Sequence, residues 1–179
     1  MGNLLTPAAL ARIVPFVLFM VLLAARGNWP EGWTFFDARW LYALAVVVVS
    51  GSLLWFWKQY SELRQGLSLK HAVLSVAVGL VVYQIWIMTT EPWMMLGEPT
   101  AGFVPVDDNG ELIWPLVIFR WVGAALMVPL MEELFWRSFV MRWVDAADFE
   151  ALEPARVGIK GFLVSVVLFG FEHNLWLAG

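Results

Sequence analysis

The chain has 179 residues, of which 61% are hydrophobic and 15% charged, with a net charge of −4 at pH 7. Soluble domains contain about 45–50% apolar and about 25% charged residues, so a soluble globular domain is excluded, because a chain this short has too much surface for so few charges. The 12 Trp and 13 Phe exclude a disordered chain, and the acidic charge disfavours a nucleic-acid partner. The absence of Cys excludes disulfides and thiolate metal sites.

About five stretches of the sequence are long and apolar enough to cross a membrane, for which a helix needs roughly 20 residues. They cover roughly 7–25, 40–57, 72–90, 112–132 and 159–178. The first stretch lacks a basic segment beyond Arg12 and is long for the core of a signal peptide, so we interpret it as a retained helix. The pattern predicts an all-α integral membrane protein, with residues 1–179 forming one multi-pass bundle.

The distribution of Lys and Arg predicts the orientation of this bundle. If the N-terminus is cytoplasmic, most basic residues fall on the inner side, namely Arg12, Lys58, Arg64, Lys70, Arg137, Arg142, Arg156 and Lys160. Only Arg26 and Arg39 then fall outside. This asymmetry follows the positive-inside rule and predicts a cell-membrane protein whose N-terminus is cytoplasmic.

Charged residues at the end of the fourth stretch and just beyond it are the first candidates for a functional site, because ionisable groups inside a membrane are costly and usually functional. Glu133 and Arg137 are one helical turn apart and can form an ion pair. Glu132 points about 100° away from Glu133 and lacks that partner. The competing interpretation is that these charges mark the inner interface, where the helix leaves the lipid.

The second candidate is His173, in the fifth stretch. If the fourth helix ends near residue 144 and the fifth begins near residue 160, Glu132 and His173 each lie roughly 18–20 Å from the inner helix ends, at ~1.5 Å per residue. A start at Pro154 would instead offset them by ~10 Å. A carboxylate and an imidazole at the same depth can move a proton from water to a leaving amine, so amide hydrolysis in the membrane is the predicted reaction.

Two further charges in the apolar stretches have structural interpretations. Arg120 is expected to snorkel outward or to pair within the bundle. Glu172 faces a different direction from His173 and is predicted to make a helix–helix contact.

Two motifs resemble those of a known family. Glu132-Glu133-x-x-x-Arg137, followed by Phe169-x-x-x-His173, resembles the CPBP intramembrane proteases, the group of CAAX prenyl endopeptidases and their bacterial relatives. The strings VPLMEELFWRSFVMRW and FLVSVVLFGFEHNLWLAG are similar to the CAAX-protease-related subgroup found with exosortase/PEP-CTERM sorting systems. The resemblance is strongest over residues 120–179.

The resemblance implies a multi-pass helical bundle whose conical cavity holds the site, in a bacterial inner membrane. It implies that Glu132 and His173 activate water for peptide cleavage, with Glu133 and Arg137 supporting the site. The implied substrate is a membrane-associated or C-terminally sorted protein or peptide, and lipid is the other expected partner. The resemblance leaves open whether a divalent metal such as Zn²⁺ takes part, with Glu132 and His173 as ligands.

One motif of the family is missing from the sequence. The family has a later helix with His-x-x-x-Asn/Asp, whereas no His follows His173. We therefore expect the chain to resemble the N-terminal part of the family fold, truncated at its C-terminus, and the missing motif leaves open whether this form is active. Two alternatives stay open, namely a non-enzymatic peptide-binding or immunity-type membrane protein and a small proton-coupled transporter.

Overall fold

The computed structural model describes residues 6–30, 33, 35–64, 66–89, 91–96 and 104–173. Its five longer helices are α1 (Pro7–Gly27), α2 (Trp40–Trp55), α3 (Leu69–Met88), α4 (Trp114–Asp145) and α5 (Ile159–Glu172). Single helical turns lie at Trp57–Gln59, Glu62–Arg64, Pro92–Met94 and Pro154–Arg156. The described residues contain no strand, only an isolated bridge, so the predicted all-α class is confirmed.

Three of these helices, α1, α3 and α4, are long and apolar enough to cross a membrane. Helix α2 is apolar but has 16 residues, and α5 has 14. The prediction of about five spans therefore stays a prediction for these two shorter helices. The last part of the fifth predicted stretch, residues 174–179, lies outside the described residues.

The helix boundaries show how far Glu132 and the end of the fifth helix lie from the connection between their two helices. Helix α4 continues through the charged motif and ends at Asp145, beyond the limit of the predicted span at residue 132 and next to the expected helix end near residue 144. Helix α5 begins at Ile159, close to the expected start near residue 160, and Pro154 lies in a separate helical turn. Glu132 and the end of α5 are therefore both about 20 Å from the connection between the two helices, at ~1.5 Å per residue.

Asp145 holds the start of α5 against the end of α4. Its Oδ1 accepts a hydrogen bond of 2.9 Å from the backbone N–H of Gly161, and its Oδ2 accepts one from Gly158. The first N–H groups of a helix have no partner within that helix, so a carboxylate there also satisfies the positive end of the helix dipole. A side chain at Gly161 would collide with the carbonyl oxygen of Met141. Glycine at this position therefore permits the close crossing of the two helices.

The core of the bundle forms where α1, α2 and α4 pack together. Its fully buried side chains include Val49, Leu134, Met131 and Tyr60. Tyr60 lies just after α2, and its hydroxyl donates a hydrogen bond of 2.6 Å to the carbonyl oxygen of Ala11 on α1. This bond satisfies the one polar atom that a buried tyrosine side chain brings into the core.

Helix α3 differs from the others because none of its residues is buried. Between His71 and Met88 it carries no charged residue, and its apolar side chains point in every direction. A helix that is apolar all round is stable only in an apolar environment. Among the described residues, α3 therefore has an exposed apolar surface on all sides, with Trp86 contacting the ring of His173.

Candidate active site

The charged motif lies in an irregular part of α4. The helix is π-helical over Gly123–Met127 and again over Glu133–Val140. Such wide turns are rare and often coincide with functional sites. Glu133 and Arg137 form the ion pair that their spacing predicts, and both side chains are exposed.

Glu132 faces a different direction from this pair, as the sequence predicts. It is half-buried and lines a cavity of about 350 Å³ between α4 and α5. The α5 wall of the cavity consists of Phe162, Ser165, Val166 and Phe169, and Pro129, Glu133, Trp136, Arg137 and Met141 complete the α4 wall. The cavity is therefore mainly apolar on α5 and carries its charges on α4.

His173 is the first residue after α5. Its backbone is extended, with φ −100° and ψ 139°, so the helix ends one residue before the imidazole. The Nδ1 atom lies 2.9 Å from the carbonyl oxygen of Phe169. Because a carbonyl oxygen can only accept a hydrogen bond, Nδ1 donates this bond, and Nε2 is left for another partner. Aromatic rings of Phe169 and Trp86 flank the imidazole, with centroids 4.6 and 6.0 Å from its own.

Glu132 lies on α4, about one turn before Trp136, and His173 follows Glu172, whose side chain bonds to Trp136. The structure therefore places the two predicted catalytic residues in the same region of the α4–α5 pair. The three ionisable groups come from two helices that run in opposite directions from the turn at Asp145. A carboxylate, an imidazole and an adjoining cavity are the components that proton transfer to and from a bound water requires.

Glu172 makes the helix–helix contact that the sequence predicts. Its Oε2 accepts a hydrogen bond of 2.8 Å from Nε1 of Trp136. Trp136 is 9% exposed and packs edge-on against Phe16, Phe135 and Phe169. The bond therefore joins the last residue of α5 to the middle of the charged motif on α4.

Arg120 does not join this site. Its guanidinium lies over the ring of Tyr42, 5.3 Å from the centroid, at the contact between α4 and α2. This position fits the expectation that Arg120 pairs within the bundle. Arg137, in contrast, lines the cavity beside Glu132.

The described residues offer few ligands for a metal. Within residues 6–173, as far as they are described, no group of three or more His, Cys, Asp or Glu residues is placed to hold an ion. Catalytic zinc sites normally use three protein ligands. Glu132 and His173 alone do not fit such a site.

A second polar cluster, which the sequence analysis missed, lies on the other side of the motif. We call Arg12, Glu62, Ser138 and Arg142 the buried arginine cluster. Arg12 is 1% exposed, pairs with Glu62 at 2.8 Å and donates to Oγ of Ser138 at 2.8 Å. Arg142 donates to the same hydroxyl at 2.8 Å. An arginine inside the first apolar stretch was the available signal, because a charge in a membrane span needs a partner.

The charge of Glu62 is stabilised by this cluster. Burial raises the pKa of Glu62, but hydrogen bonds from Ser138 and Arg12, together with the positive charge of Arg12, outweigh burial and hold that pKa below its ordinary value. Glu62 and Arg12 are therefore both charged at neutral pH. The cluster borders a cavity of about 510 Å³ that also touches Glu133 and Arg137.

Comparison with known proteins identifies the segment that carries the motifs. The family model of the type II CAAX prenyl endopeptidases, Rce1-like, matches residues 114–178, which include α4, α5 and both motifs. Comparison with curated proteins gives no match, and neither does comparison with solved structures. The family is membrane-embedded, in agreement with the long apolar helices of the chain. Residues 114–178 are therefore similar to the domain of the Rce1-like CAAX prenyl endopeptidases.

Proposed function

We propose that the chain acts as an intramembrane endopeptidase that hydrolyses a peptide bond of a membrane-associated or C-terminally sorted protein. The observation that carries this proposal is the cavity between α4 and α5. Glu132 lines it, and the carbonyl oxygen of Phe169, a residue of its α5 wall, accepts a hydrogen bond from the imidazole of His173. Glu132 and His173 both lie in the segment that matches the endopeptidase family. The proposal includes the subgroup associated with exosortase sorting systems and a cytoplasmic N-terminus.

Glu132 and His173 have different roles in the proposed hydrolysis. Glu132 accepts a proton from the attacking water and passes it to the leaving amine, which is general base and then general acid catalysis. The unprotonated Nε2 of His173 accepts a hydrogen bond from the same water and orients it. Because the cavity is largely apolar, little bulk water weakens these interactions.

Glu133 and Arg137 support the site from its rim. Their ion pair lines both the 350 Å³ cavity beside Glu132 and the 510 Å³ cavity beside the buried arginine cluster. It therefore places a fixed, internally neutralised charge pair next to Glu132. No step is assigned to a metal, because the described ligands do not fit one.

The walls of the cavity support a substrate that arrives through the lipid. Phe162 is 51% exposed and Val166 is 47% exposed, although both are apolar and line the cavity. An apolar rim that is open at membrane depth favours the entry of a chain already anchored in the bilayer.

The substitution Glu132→Gln tests the proposal in the full chain reconstituted into lipid vesicles. The amide keeps the size of the side chain but cannot act as the base. We expect cleavage of a membrane-anchored reporter peptide to fall by about 10²–10⁴-fold, the usual contribution of a general base, while the peptide is still captured. Glu111→Gln, on the exposed turn before α4, is the matched control and should keep full activity.

Two results would contradict the proposal. In one, Glu132→Gln cleaves the reporter as fast as the unmodified chain. In the other, the unmodified chain captures the peptide but never cleaves it, which is the behaviour of a peptide-binding membrane protein.

A further inference from the structure

The hydrogen bond between Trp136 and Glu172 is the polar link closest to His173 between the two helices of the site. It joins side chains that are 36 residues apart in sequence, at a distance of 2.8 Å. Trp136 is nearly buried, and three aromatic rings fix the plane of its indole. Its N–H is therefore a rigid donor whose direction is set by packing.

The position of His173 relative to α4 depends on such a link, because α5 ends one residue before His173. Its own bonds, from its backbone N–H to Gly170 at 3.2 Å and from Nδ1 to Phe169 at 2.9 Å, reach only the last turn of α5. They fix the imidazole relative to α5 but not relative to α4, which carries Glu132. The last turn of a helix frays unless something outside the helix holds it.

Glu172 occupies an electrostatically unfavourable position. A carboxylate at the C-terminus of a helix is repelled by the negative end of the helix dipole. It also lies close enough to Glu132 for the two negative charges to repel each other. The hydrogen bond from Trp136 must therefore stabilise Glu172 by more free energy than these two repulsions cost.

We propose that Trp136 and Glu172 are positioning residues, whose hydrogen bond fastens the end of α5 to α4 and thereby holds the imidazole of His173 toward Glu132. The inference rests on the proposed function for its catalytic meaning. Its geometric content is independent, because the protonated ring nitrogen of His173 can be identified without any substrate.

Nuclear magnetic resonance of ¹⁵N-labelled histidine shows which ring nitrogen carries the proton. It therefore shows whether the last turn of α5, with its bond from Nδ1 to Phe169, persists when the link to α4 is removed. The chain has 2 His, so the spectrum contains one signal set for His173 and one for His71, which is exposed and serves as the internal reference. In the unmodified chain we expect His173 to carry its proton on Nδ1. In Trp136→Phe the signal should shift to a mixture of both tautomers while His71 stays unchanged.

Trp143→Phe is the matched control, because Nε1 of Trp143 is buried on the same helix and has no hydrogen-bond partner among the residues that the structure describes. It removes this indole N–H and should leave the His173 signal as it is. Glu172→Gln keeps an oxygen that accepts from Trp136 and should also preserve the signal, whereas Glu172→Ala should reproduce Trp136→Phe. If Trp136→Phe does not fold, the comparison of Glu172→Gln with Glu172→Ala tests the inference in its place.

The inference is overturned if Trp136→Phe leaves the His173 signal unchanged, or if Trp143→Phe alters it equally. It is also overturned if Glu172→Gln behaves like Glu172→Ala, because the charge and not the bond would then matter. In cleavage assays, Glu172→Ala should lower kcat by about 10²-fold, as misplacement by about 1 Å can do, with KM unchanged. A raised KM with normal kcat would contradict positioning.

The two proposals fail in different ways. If the unmodified chain cleaves no peptide, but Trp136→Phe and Glu172→Ala change the His173 signal while Trp143→Phe and Glu172→Gln preserve it, the positioning inference holds and the proposed function fails. If the unmodified chain cleaves peptide but the His173 signal is insensitive to Trp136→Phe, the proposed function holds and the positioning inference fails.

Discussion

Helix α4 carries two polar clusters, and they differ in how completely their hydrogen bonds are satisfied. In the buried arginine cluster, Arg12 is 1% exposed and bonds to a carboxylate, a hydroxyl and a backbone carbonyl at once. On the other side, Glu132 faces a cavity of about 350 Å³. A closed cluster whose groups satisfy one another stabilises the bundle, whereas an open one retains free positions for water and substrate.

The largest effect is expected from breaking the closed cluster. Arg12→Met leaves the Glu62 carboxylate half-buried without its partner, and removal of one member of a buried pair typically costs about 3–5 kcal/mol. The free energy of unfolding, measured by denaturant titration in mixed micelles, should fall by that amount. Arg156→Met, which breaks the exposed pair with Glu153, should cost less than about 1 kcal/mol. Equal losses in the two variants would show that Arg12 is not buried with Glu62.

A smaller effect is expected from separating the helices that enclose the open cluster. In Gly161→Ala the new methyl group meets the carbonyl oxygen of Met141, and such overpacking costs roughly 1–3 kcal/mol. The same titration should show this loss, together with slower peptide cleavage. Gly79→Ala on α3 is the matched control, because nothing lies within 4 Å of the added methyl group. A loss in the control as large as that in Gly161→Ala would argue against the close crossing of α4 and α5.

The smallest effect is a pH dependence of the closed cluster. The folded-state pKa of Glu62 is lowered from 4.5, so the stability contributed by its charge is fully present above pH 4.5 and is lost as the pH falls through the folded-state value. Thermal midpoints of the unmodified chain and of Glu62→Gln should therefore differ at pH 7 and converge in acid. A difference that stays constant down to pH 3 would contradict a charged Glu62 in the folded chain.

The helices themselves could be predicted from the sequence because they are long apolar runs, and two of them also begin at a capping side chain. Pro7 begins α1 after the capping hydroxyl of Thr6, and Ser68 caps α3 in the same way. The ion pair of Glu133 with Arg137 was also predictable, because both residues lie on one turn of a helix. These features depend only on neighbours within a few residues.

The remaining features depend on partners that are distant in sequence. Nothing near Arg12 indicates Glu62, 50 residues later, as its partner, and the bond from Trp136 to Glu172 has the same character. Hydropathy does not reveal which helices face lipid. The mean hydropathy is 2.4 for α1 and 1.8 for α3, yet 39% of the α1 window is buried and none of the α3 window. In a membrane, apolar side chains suit lipid and protein equally well.

The π-helical segment Glu133–Val140 lies between Glu132 and Arg142 and therefore sets the angle between the two clusters. A wide turn accommodates one more residue than an α-helical turn, and one residue corresponds to about 100° of rotation. Deleting a single residue in this segment would restore regular α-helical winding. Arg142 would then rotate around the helix axis, away from Ser138's neighbours on α1, although every remaining side chain is kept. The extra residue of the π-helical segment therefore sets the rotation between the two ends of α4. One continuous helix can then contact two partners that a regular α-helix would not align.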